Sequence, residues 1–121
     1  MGDKIVITIT DGVEYTPDFY GHWCGWDGLR VFQKLARKGK FNGMHVMMCN
    51  FILSVMGRKA QQYSYYIFNH GETDGMADHD CYTWTFNYNT KIWTSTHPDF
   101  AGRKVSMKEL DHYLSLMKDK E

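Results

Sequence analysis

Residues 81–88 alternate more cleanly than any other part of the chain. Tyr82, Trp84, Phe86 and Tyr88 fall on one side of an extended strand, and Cys81, Thr83, Thr85 and Asn87 on the other. The aromatic side reads as the core face of a sheet, and the threonine side as a solvent-facing or pocket-lining face. Three further stretches supply partners. Ile5, Ile7 and Ile9 alternate with Val6, Thr8 and Thr10. Residues 63–68 read Tyr-Ser-Tyr-Tyr-Ile-Phe, and residues 91–96 follow a turn at Asn89-Thr90. Asp11-Gly12 lies between residues 5–10 and the β-prone run 13–16, which predicts a tight hairpin. Pro17 has no N–H to give to a ladder, so it ends or edges that second strand.

Helical spacing appears three times. Leu29, Phe32, Leu35 and Ala36 predict a helix over about 28–38, with Asp27 as N-cap and Gly39 as stop. Asn42 is placed to cap a second helix over 44–56. Its Met44, Met47, Met48, Phe51, Ile52 and Val55 form one stripe, while Val46, Cys49 and Leu53 make the other sides apolar, the pattern of a buried helix. Ser106-Met107-Lys108-Glu109 matches a capping box ahead of Leu110, Tyr113, Leu114 and Met117. The predicted order is ββααβββα. It indicates a small α+β fold with a mainly antiparallel sheet.

The 121 residues suit one domain spanning 1–121. Fourteen basic residues balance fourteen acidic ones, which argues against a duplex-DNA binder. The cluster of Arg30, Lys34, Arg37, Lys38 and Lys40 still offers a local basic face to a small anionic ligand. The three cysteines are widely spaced and form no CxxC pair, so a zinc ribbon is not expected. With no secretory pattern at the start, they predict reduced thiols and a cytoplasmic setting. No apolar run reaches the ~20 residues that span a bilayer.

Two segments carry the candidate chemistry. In Phe19-Tyr20-Gly21-His22-Trp23-Cys24-Gly25-Trp26-Asp27, rings and glycines alternate within nine residues, which predicts a shaped turn. His22, Trp23 and Trp26 form a pocket wall on one reading and a buried structural turn on another. A Cys24–His22 nucleophilic pair is a third. The second segment, from His70 to Asp80, holds two histidines and four carboxylates. His70, Glu72 and Asp74 would line a binding loop. As a metal loop it would offer His70, Asp74, Asp78 and His79 to a divalent cation, though the spacing fits no standard ligand set.

Tyr20-Gly21-His22-Trp23-Cys24-Gly25 resembles a turn found in a group of small phage, bacterial and archaeal proteins. There an N-terminal hairpin is followed by Tyr-Ser/Thr-His-Trp-Gly-Gly and a helix. The resemblance spans roughly residues 3–96 and includes the Tyr65-Tyr66-Ile67 strand and the Thr83-to-Asn87 region. It departs at Gly21, at Cys24, and at Asn87, where the group has aspartate. It implies no established activity. It does imply a phage or mobile-element setting, in which small domains inhibit or sequester host components, as anti-defence proteins do.

These readings lead to a non-enzymatic binding domain that grips a host protein or a nucleotide-like small molecule. Trp23 or Trp26 would stack on the ligand, His22 and His70 would hydrogen-bond to it, and Arg30 would meet its negative charge. The competing expectation is a metal-dependent hydrolase acting on a phosphate ester through the 70–80 loop. A third is a homo-oligomer that uses its aromatic surface for self-association.

Overall fold

The structure is a computed structural model, which describes residues 3–22, 24–56 and 64–117. The chain is a small α+β domain. Strands β1 (Ile5–Thr10) and β2 (Asp18–His22) are followed by helices α1 (Trp26–Lys38) and α2 (Met44–Met56). Then come β3 (Ser64–Phe68), β4 (Thr83–Asn87), β5 (Ile92–Ser95), the two-residue β6 (Val105–Ser106) and α3 (Met107–Leu116). The strands form one sheet in the order β3-β2-β1-β4-β5-β6. Every neighbouring pair is antiparallel except the central one, β1 with β4.

One face of the sheet carries the core. Ile5, Ile7 and Ile9 of β1, Phe19 of β2, Trp84 and Phe86 of β4 and Trp93 of β5 pack there against the three helices. Phe32 of α1 sits among Phe51, Phe86 and Trp93, with ring centroids 4.9–5.1 Å apart. One polar side chain ties the layers together. Gln33 of α1 accepts a hydrogen bond from the Trp93 indole N–H at 2.7 Å and donates to the Met107 carbonyl and to Asp111 of α3 at 2.8 and 2.9 Å. Ser106 caps α3 by accepting from the Glu109 N–H at 3.0 Å, as its spacing predicts. The Glu109 carboxylate does not complete the box; it pairs with Arg103 at 2.8 Å.

Three local readings change. The Asp11-Gly12 turn forms, with Asp11 Oδ1 accepting from the N–H groups of Val13 and Glu14. Residues 13–16 then make only a single bridge, Thr10 to Tyr15. Thr16 Oγ1 accepts from the Ile9 N–H at 3.1 Å and so interrupts the ladder with a side chain. The second strand therefore starts after Pro17, and Phe19 to His22, expected as a turn, are strand. The residue before α1 is Gly25, at φ 57° and ψ −146°, so Asp27 lies in the first turn and favours the positive end of the helix there. Helix α2 is not enclosed: Val46, Cys49, Leu53 and Met56 reach solvent.

Candidate ligand-binding site

The face of the sheet away from the helices is half covered. Residues 69–82 cross it as a strap built from successive tight turns: the N–H groups of Glu72, Asp74, Met76, Asp78 and Asp80 each donate to the carbonyl three residues back. Ala77 and Thr73 are its buried undersides, and Ala77 packs on Val6, Tyr20 and Phe68. The strap ends by donating from Cys81 N–H to the Lys4 carbonyl, which delivers β4 alongside β1 in parallel.

Where the strap leaves β3, it is anchored on Asp18. This carboxylate is 2% exposed, at the first position of β2. It accepts from the Gly71 N–H at 3.0 Å and from the Thr73 hydroxyl at 2.7 Å, and it faces His70 Nδ1 at 2.9 Å. A carboxylate supplies only acceptors, so His70 Nδ1 carries a proton, and in the neutral imidazole Nε2 then keeps its lone pair. The imidazole is half exposed. On its flat side it stacks on Tyr15, with centroids 3.9 Å apart and planes 4° from parallel. Carboxylate and phenol together fix the plane and the tautomer of the ring, leaving one oriented acceptor.

His70 borders a furrow over the uncovered half of the sheet. One cavity of about 280 Å³ is lined by Asp18, His70, Thr73, Asp74, Thr83 and Thr96. A second of about 280 Å³ is lined by Tyr15, Thr85, Asn87, Ile92, Thr94 and Lys104, among others. Thr83 and Thr85 are successive same-face positions of β4, and Thr94 lies opposite Thr85 on β5. The two cavities are therefore neighbours on one threonine-lined surface. The pocket-lining alternative for Thr83, Thr85 and Asn87 matches their positions here.

The other candidate residues are distributed differently from the expectation. His22 ends β2, four residues from Asp18, and is paired with Ser64. His70 is held at the Asp18 end of β2, and the four residue steps from there to His22 span about 13 Å at ~3.3 Å per residue. Trp26 belongs to the core side, its ring edge-on to Trp84 at 6.1 Å and to Tyr113 at 5.6 Å. Arg30 donates to the Leu114 carbonyl at 3.3 Å and lies 3.9 Å from Asp27, so it seals the α1–α3 seam and is remote from the furrow. A cavity of about 410 Å³ lies on that seam, yet its Arg37 and Asp111 already neutralise one another at 2.5 Å. Trp23 lies outside the described residues. Cys24 is buried with its sulfur against Gly28, the setting of a packing cysteine rather than a nucleophile.

Within the strap, Glu72 accepts from the Asn69 N–H and closes the first turn, while Asp74 lines the furrow. Asp78 turns back toward Gly75, and His79 takes a left-handed φ of 67°. Asp80 lies near Tyr20, whose phenol is held above its usual value first by burial and then by that negative charge. Among the described residues, no three His, Cys, Asp or Glu side chains come together as a metal site. His70, Asp74, Asp78 and His79 are spread along the strap and do not converge.

A second histidine escaped the sequence reading. His97 is ringed by Trp26, Tyr82, Trp84, Phe100 and Tyr113. Its Nδ1 accepts from the Asp99 N–H at 3.0 Å, and its Nε2 lies 3.1 Å from the Tyr113 hydroxyl. Burial holds the imidazole below its usual value, against the opposing pull of Asp99. Both nitrogens are occupied, so His97 organises the aromatic cluster.

No family model, curated protein or solved structure matches this chain. Among the described residues, no helix is long and apolar enough to cross a membrane.

Proposed function

We propose that this domain binds a small, flat, polar ligand of nucleotide-like character in the furrow over β4 and β5. The observation that carries the reading is the His70 ring, clamped by buried Asp18 and stacked on Tyr15, with Nε2 left as an oriented acceptor. A structural histidine at such a position would use both nitrogens, as His97 does. The furrow adds threonine hydroxyls at Thr85 and Thr94, aromatic surface at Tyr15, and a cation at Lys104 for a phosphate. Two adjoining cavities of about 280 Å³ each sit just below the small end of ligand-pocket sizes, ~300–1,000 Å³, so a ligand of nucleotide size would span both. The phage or mobile-element setting implied by the Tyr20-to-Gly25 resemblance belongs to this proposal as its biological context: a domain that sequesters a small molecule of the host.

Native mass spectrometry of protein purified from its host tests this. A retained nucleotide-like mass that disappears in His70→Ala supports it. A ligand retained equally by His70→Ala places binding elsewhere.

The same Asp18–His70 pair favours a second reading, in which Nε2 acts as a general base in hydrolysis of the bound ligand. Turnover of the retained compound by the wild-type chain, lost in His70→Gln while binding persists, would select it.

A further inference from the structure

We propose that the chain forms a two-fold homodimer by pairing β3, an edge strand of the sheet, with β3 of a second copy, with the exposed stripes of α2 packed across the axis. The two edges of the sheet differ. β6 is two residues long and runs directly into α3. β3 is five residues long, Ser-Tyr-Tyr-Ile-Phe, with no charge, proline or glycine. Its inner side pairs with β2 from Asp18↔Phe68 to His22↔Ser64. Among the described residues, no strand of the sheet lies beyond it. Edges that must stay single are blunted by charge, proline, bulges or shortness, and β3 has none of these.

Helix α2 stands on the same flank. It reaches β2 through Phe51 on Phe19, and β3 through the Tyr65 hydroxyl on the Val55 carbonyl. Its buried stripe is Met44, Met47, Met48, Phe51 and Val55. At 3.6 residues per turn, Val46, Cys49, Leu53 and Met56 fall on the opposite side, at the 3-4-3 spacing of a helix–helix seam. Ser54 faces α1 across a cleft lined by Val31, Lys34 and Leu35, so this stripe points away from α1. Ile67 lies on the same face of the sheet as α2, since it pairs with Phe19.

A second copy fits this surface better than a different partner. Apart from His45, α2 has no titratable side chain but a cysteine, and β3 offers only tyrosines, so neither presents a charge pattern that would select a partner of opposite sign. An antiparallel edge strand is its own complement under a two-fold axis. The net charge of zero does not oppose association of like chains. Val46, Leu53, Met56, Tyr66 and Ile67 are each 43–73% exposed. At roughly 150–250 Å² per large residue, they present on the order of 500 Å² of the ~800 Å² per partner that a standard interface buries. The β3 main chain and Cys49 extend that area.

Sedimentation velocity of the full chain across the micromolar range tests the assignment, together with Leu53→Lys and Ile67→Lys. Both substitutions are at exposed positions, and circular dichroism checks that each variant keeps its fold. The expected result is a species of twice the 14.2 kDa chain mass, with each variant weakening dimerisation by roughly tenfold or more. A monomer at every concentration overturns the proposal, including the case where another protein co-purifies on the α2 stripe. A dimer that both folded variants leave unchanged also overturns it, because the interface then lies elsewhere.

Discussion

Asp18 and His70 are 52 residues apart in sequence and 2.9 Å apart in the fold. The carboxylate serves two ends. It pins the strap to the sheet through Gly71 and Thr73, and it holds Nδ1 of the His70 ring that lines the furrow. Asp18→Asn places an amide N–H₂ among three donors, where only an acceptor fits. The variant is expected to lose about 1–3 kcal/mol of stability in urea unfolding. It also frees the His70 tautomer, so Nδ1-protonated imidazole, read by ¹⁵N NMR, should no longer dominate. An unchanged midpoint and an unchanged tautomer would contradict the role of Asp18.

Gly21 and Cys24 make a coupled pair. A Cβ at Gly21 would lie 2.8 Å from Cys24 Cβ and 3.1 Å from the Phe19 ring, inside contact distance. Gly21→Ser alone is expected to cost about 1–3 kcal/mol by overpacking. Combined with Cys24→Gly it should cost less than the sum of the single changes, with a coupling of ~0.5–3 kcal/mol. Additive losses in thermal unfolding would show that the two sites are independent.

Gln33 offers a third test. It is 1% exposed, accepts from Trp93 and donates into α3. Gln33→Met keeps the volume but strands the indole N–H and the Met107 carbonyl, with an expected loss of at least about 2 kcal/mol. Trp93 sits at 0% exposure, so any opening of this seam should shift its emission to the red. Equal stability of Gln33→Met and wild type would remove Gln33 as the link between layers.

His97 sets a pH dependence. Burial lowers its folded value below the usual 6.5, with Asp99 opposing. Between the folded and unfolded values the unfolded chain binds more protons, so stability rises with pH in that window. The stability due to neutral His97 is complete above about pH 6.5 and is lost as pH falls through that value toward the folded one. Tyr113, Tyr82, Trp26, Trp84, Phe100 and Asp99 face the ring, and Asp99 alone among them carries charge near neutrality. The urea midpoint of wild type should fall more steeply between about pH 7.5 and about pH 5 than that of His97→Gln. Parallel slopes would contradict the assignment.

The sheet and helices were legible because their signals are local. The alternation through Trp84 and Phe86, the stripe through Leu29 and Phe32, and the Ser106 cap each depend on a few neighbouring residues. The β1–β2 hairpin was misplaced because Thr16 replaces a main-chain rung with its side chain, which no propensity records. The exposed stripe of α2 was hidden because apolar residues at Val46 and Leu53 look the same whether or not another element covers them. At the site, His70 was visible as a polar residue in a polar loop. Asp18 was not, since beside Pro17 it reads as turn punctuation. Its value comes from a strap that returns fifty residues later, and so does the role of Tyr15. The parallel β1–β4 pair arises the same way, from the strap carrying the chain across the sheet.

The most direct test of the ligand-binding account is amide and side-chain NMR of the labelled chain during titration with nucleosides and nucleotides. The account predicts perturbations confined to Tyr15, His70, Thr83, Thr85, Thr94 and Lys104, and their loss in His70→Ala while the rest of the spectrum is preserved. Perturbations centred instead on Arg30, Arg37 and Asp111, or a pattern that His70→Ala leaves intact, would contradict it.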